Sequence, residues 1–127
     1  MHKVINPNGA SGLFSPAIAH RGVIYVSGQG GMSDDVLVTG GIQAETTQTL
    51  TNIDLLLKAA GSGIEDVVVI TCYLADIGEW DKMNEAWSKF FNGRPVPTRT
   101  AIGVAGLPRG MHVEMTAIAA ASASDAE

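Results

Sequence analysis

Between Gly41 and Ala60, Ile42, Thr46, Thr49/Leu50, Ile53, Leu56/Leu57 and Ala60 recur at steps of three and four. That spacing predicts one buried helical face, and Gly61-Ser62-Gly63 supplies its C-terminal stop. The run Val67 to Leu74 is different: it is β-branched and apolar at consecutive positions. Such a run predicts a central strand covered on both faces. A second helix is predicted after Asp76, which with Glu79 has capping-box chemistry; its buried face is Met83, Trp87, Phe90 and Phe91, and it is stopped by Gly93 and Pro95.

Shorter strands are predicted at Val4-Ile5, at Ala17 to His20 and at Val23 to Ser27, the last two joined as a hairpin by Arg21-Gly22. Val36 to Val38 reads as a short strand or a loop. Thr98 to Val104 and Met111 to Ala119 are strands, separated by the turn Gly106 to Gly110. The order strands, helix, strand, helix, strand, strand predicts an α+β fold with one mixed sheet and both helices on one face. Two helices cover one face only, yet Val67 to Leu74 is apolar on both. Self-association, sheet face against neighbouring sheet face, is the expected solution.

The chain has 127 residues, of which 46% are hydrophobic, enough for a core. Eight Lys+Arg against thirteen Asp+Glu give a net charge of −5, a poor basis for binding nucleic acid. One cysteine, Cys72, excludes an internal disulfide and is expected to be an inert core residue. The longest mostly apolar run falls far short of the roughly 20 residues of a bilayer helix. The start Met-His-Lys-Val-Ile-Asn-Pro lacks the apolar stretch of a signal peptide, so a cytoplasmic protein with no membrane partner is expected. Residues 122–127 read as a polar tail.

No phosphate-loop Lys follows Ser27-Gly28-Gln29-Gly30-Gly31, and His2, His20 and His112 have no ligand spacing. No metal or cofactor is expected. The informative charges are Arg99, at the start of a strand with no other charge, and Glu114, inside a strand between Val113 and Met115. A charge inside a strand is costly unless paired or at a wet cleft. Alternation puts Arg99, Ala101 and Gly103 on one face and His112, Glu114 and Thr116 on one face. If the two strands are neighbours, Ala101 and Gly103 leave space for a small anion beside Arg99. The plainer reading is an Arg99–Glu114 ion pair or a solvated face. Likewise Asn84 reads as a solvated helix residue, and Trp80 and Trp87 as core or interface.

Val26-Ser27-Gly28-Gln29, the Asn84 helix ending in Phe90-Phe91, Pro97-x-Arg99-Thr100, Leu107-Pro108 and Val113-Glu114-Met115-x-Ala117-Ile118-Ala119 together resemble the RidA (YjgF/YER057c/UK114) family. The resemblance covers about residues 3–120. It implies one domain over 1–121, a chorismate-mutase-like fold and a homotrimer with clefts between subunits. It also implies cofactor-free hydrolysis of a small imino or enamino acid, of the 2-iminopropanoate or 2-iminobutanoate type, to a 2-keto acid and ammonia. Under the resemblance Arg99 binds the substrate carboxylate, assisted by Gly28 and Ala101. Glu114 activates water, and Ser27 and Asn84 line the cleft.

The chain departs from the family pattern at two places. Ser15-Pro16-Ala17 puts Ala17 where relatives often have the Tyr of Gly-Pro-Tyr, and Ala101 stands where they often have Cys. The cleft is then expected to be roomier, which admits a bulkier, pathway-specific imine. Two other functions remain open: a non-catalytic module that binds a small carboxylate, and a ribonuclease or translation inhibitor. The absence of a basic stripe argues against the latter.

Overall fold

Six strands form one mixed sheet, with two helices packed on a single face. The computed structural model describes residues 3–7, 9 and 12–121; the polar tail expected at 122–127 lies outside them. The strands are β1 (Lys3–Ile5), β2 (Ala17–His20), β3 (Val23–Gly30), β4 (Met32–Ser33), β5 (Val36–Leu37), β6 (Val67–Leu74), β7 (Thr98–Gly103) and β8 (Val113–Ala120). The helices are α1 (Gly41–Ala59) and α2 (Trp80–Phe90). The sheet order is β1-β2-β3-β8-β6-β7, and β4-β5 form a separate small hairpin. Only β6 and β7 pair in parallel, joined through α2 as parallel neighbours require. No helix among the described residues is long and apolar enough to cross a membrane.

Local chemistry explains most of these elements. Arg21 and Gly22 both have positive φ (52° and 79°), the tight turn that closes the β2-β3 hairpin. Helix α1 ends in a Schellman arrangement, with Ser62 N–H on Leu57 O and Gly61 N–H on Lys58 O. Leu50, Ile53 and Leu57 are fully buried on its inner face; cutting any one to Ala costs about 2–5 kcal/mol. At the second helix the capping box is only half realised. Asp76 accepts from Gly78 N–H, but a 3-10 turn at Ile77–Glu79 intervenes, and Glu79 ends as the residue before α2 with no side-chain cap. Met83 and Trp87 on its inner face, and Phe91 just past its end, are buried as expected, whereas Phe90 is only partly buried.

Registers sort the side chains into rows across the sheet. On the helix-covered face, Ile5, Ala17, Val26, Ala117, Ile70 and Arg99 form one row across all six strands. The first five are buried, and Arg99 closes the row at the sheet edge, half-buried. On the opposite face the rows are Val4–Ile18–Tyr25–Ile118–Val69–Thr98, then Thr116–Thr71–Thr100, then Glu114–Tyr73–Ile102. None of the described residues covers this face: Val4, Tyr25, Ile102 and Ile118 are all exposed. The run Val67 to Leu74 is central, as expected, and its second face is open.

Candidate active site

The site residues expected from the sequence fall into two groups on opposite sides of the sheet. Strands β7 and β8 are not neighbours, because β6 lies between them. Arg99 is in register with core residue Ile70, whereas Glu114 is in register with Tyr73 on the open face. An Arg99–Glu114 ion pair within one chain is therefore excluded. The ion pairs among the described residues include neither.

The first group is built by α2 and β7. Arg99 Nη1 donates to Asn84 Oδ1 at 2.7 Å. Its guanidinium carbon lies 4.9 Å from the centroid of the Trp87 ring and 5.6 Å from that of Trp80. A planar, weakly hydrated cation suits such aromatic company, where it can also stack its flat face on the rings. Trp87 is itself core, 4.7 Å from the Phe91 ring, while Trp80 is exposed. Asn84 is thus a partner of the cation, not a solvated residue. Burial pushes the Cys72 thiol up to about 12 despite the nearby Arg99 charge, so it stays an inert core thiol at neutral pH. The expected space beside Arg99 is only partly there. Ala101 packs half-buried against the core, and a Cβ on Gly103 would lie 3.0 Å from Cβ of Ile77, which fills that side.

The second group is built by β3 and β8. The β3-β8 register shifts between Val26 and Gln29, and the bulge brings Gly28 under the carboxylate of Glu114. Any side chain at 28 would collide with Glu114 Oε2. Ser27 Oγ donates to the carbonyl of Ser15 and tethers the preceding loop. Gly31 serves helix packing: a Cβ there would sit 2.7 Å from the Cα of Glu45. The glycine cluster therefore permits close approach of Glu114, Met111 and Glu45.

The comparisons with known proteins agree with this architecture. The family described as Endoribonuclease L-PSP matches residues 5–121. The rat 2-iminobutanoate/2-iminopropanoate deaminase is 42% identical over 124 residues, covering 94% of this chain and 90% of its own. The solved structure of YyfA from Yersinia pestis, a Rid-family protein of unknown function, superposes with TM-score 0.87 at 34% identity, covering 94% and 99% of the two chains. The Escherichia coli protein TdcF, solved with bound serine, gives TM-score 0.84 at 27% identity over 94% and 99%. This chain belongs to the RidA (YjgF) family.

Set against the RidA pattern, one expectation needs correction. Ala17 does not line a cleft: it is 1% exposed, in the core row of β2. The exposed aromatic of that segment is Phe14, held beside β3 by the Ser27–Ser15 bond. The sequence reading also missed a contact involving His112. It lies just before β8 and pairs through Nδ1 with Glu45, a carboxylate buried on α1. The signal available was Glu45 itself, a charged residue among the apolar positions of α1.

Proposed function

We propose that this protein is a cofactor-free imine deaminase acting on small 2-imino or enamino acids of the 2-iminopropanoate or 2-iminobutanoate type. The observation that carries the reading is Arg99, a half-buried guanidinium with one hydrogen bond and no acidic partner among the described residues. It suits a substrate carboxylate, which a guanidinium holds with two parallel hydrogen bonds. The deaminase name of the rat relative and the serine bound by TdcF, itself an amino acid, support the same chemistry.

In this reading the active site is composite. Arg99, Asn84 and Ala101 come from one copy; Glu114, Gly28 and Ser27 come from the open sheet face of the next. Three copies close the ring, in the chorismate-mutase-like arrangement that the family resemblance implies, and the apolar rows around Tyr25 and Ile118 support burial of that face. Glu114 takes a proton from water as the oxygen attacks the C=N carbon of the protonated imine, and passes that proton on to the nitrogen of the resulting carbinolamine. The C–N bond then breaks to release ammonia as the hydroxyl gives up its proton to Glu114 or solvent, which leaves the 2-keto acid. An iminium carbon is already electrophilic, so orientation and one placed water are what the site must supply.

A ribonuclease reading lacks a basic surface. Arg94 is engaged by Glu65 at 3.9 Å and lies over Phe90, and Arg109 is engaged by Asp35 at 3.8 Å. The test is ammonia release from freshly generated 2-iminobutanoate. Wild-type protein should speed it above the spontaneous rate and Arg99→Ala should not. Binding of 2-oxobutanoate with no acceleration would instead favour a carboxylate-binding module.

A further inference from the structure

A second carboxylate is buried away from the proposed chemistry. Glu45, in the second turn of α1, is 1% exposed, and both its oxygens meet one residue. Oε1 accepts from the backbone N–H of His112 at 2.7 Å, and Oε2 pairs with His112 Nδ1. The carbonyl of His112 accepts from Ala75 N–H at 3.0 Å, just beyond β6. His112 is thus tied to α1 on one side and to the end of β6 on the other, immediately before β8. Glu114 is the second residue of that strand.

We propose that the Glu45–His112 pair is a positioning device that fixes the start of β8 and so the aim of the Glu114 carboxylate. The proposal rests on the reading of Glu114 as the group that handles water. An ionised carboxylate buried this deeply is tolerated only when paired and hydrogen-bonded, and a protonated imidazole makes the pairing charge-assisted. Two charged groups bear on the ring: Glu45 from α1, and Glu79 from the turn before α2. Glu79 Oε1 is itself buried without a hydrogen-bond partner.

The bond to Glu45 holds the His112 pKa above its ordinary 6.5, against a smaller opposing effect of desolvation and with help from the Glu45 and Glu79 charges. A raised folded-state value means that the stabilisation is complete below 6.5 and is lost as pH rises through the raised value. The hold on Glu114 therefore slackens on the alkaline side.

The experiment measures two things across pH 5.5 to 9 in the full chain: ammonia release from 2-iminobutanoate, and amide-exchange protection factors for Val113 to Met115. Wild type should lose both turnover and protection over one alkaline limb. His112→Gln keeps a donor but cannot titrate, so both profiles should flatten there, with kcat about tenfold lower and KM unchanged. Glu45→Gln, which keeps an acceptor but not the charge, should move the limb toward the ordinary histidine value. Glu114→Gln should abolish turnover and keep the protection limb.

Identical profiles in wild type and His112→Gln overturn the proposal, as does a KM effect in place of a kcat effect. A protection limb with full turnover in Glu114→Gln overturns instead the reading of Glu114, and with it the device's purpose. A flat wild-type protection profile with normal turnover overturns the device alone.

Discussion

The Arg99 side and the Glu114 side of the sheet solve opposite problems. Arg99 sits at the edge of a hydrophobic row, against two indole rings and one amide. A guanidinium stays charged in such a place because its proton is not removable at any ordinary pH. Glu114 is held on the bare face of the sheet, in a row with Tyr73 and Ile102, above a glycine that gives its carboxylate room. Its carboxylate is half-buried and reachable from the open face. The permanent charge is built into the core edge, and the titratable charge is left for a second surface to enclose.

The sharpest way to break this comparison is to separate its halves. Arg99→Ala should lower kcat/KM by about a thousandfold, since it removes a bidentate, charge-assisted contact with the reacting molecule. Mixing it with an inactive Glu114→Gln protein, after dissociation and reassembly, should restore activity at about a quarter of the sites of a closed ring. No recovery on mixing would mean that the two groups do not meet across copies.

The next largest effect is expected at the open face. Ile118→Lys puts a charge in the apolar row beside Tyr25, and sedimentation should show a smaller assembly with most activity gone. A monomer of unchanged activity would defeat the composite site. Gly28→Ala should preserve the fold and the assembly but lower kcat roughly tenfold, because the new methyl pushes Glu114 aside. The mildest is Trp80→Phe. It keeps a ring beside Arg99 with a weaker face, so KM should rise by only about twofold to fivefold. The quenching of tryptophan emission by bound 2-oxobutanoate should fall with it.

The elements were largely legible along the chain. The inner face of α1, its Gly61 stop, the central placement of Val67 to Leu74 and the bare second face all follow from period and from the number of covering elements. What the sequence does not encode locally is which strand lies beside which. Alternation places Arg99 with Ala101 and Glu114 with Thr116, but it cannot say that the two sets face opposite ways. That depends on the register of β7 and β8 on β6, which sets Arg99 beside Ile70 and Glu114 beside Tyr73. Ala17 is a core residue of β2, a placement set by the β1-β2-β3 pairing and not by the short segment around it. Glu45 is a single polar break in an apolar stripe, and its partner lies 67 positions away, beyond any short-range pattern.

The parallel unit β6–α2–β7 occupies one uninterrupted stretch, residues 67–103. Under the proposed function the anion cradle is therefore made from neighbours in the chain, whereas the Glu114 side needs β3 to find β8 across about ninety intervening positions. Short loops close faster than long ones, so a nascent chain should acquire its grip on carboxylates before it acquires the means to act on them. Damage to the late pairing would leave a protein that captures its substrate and releases it unchanged.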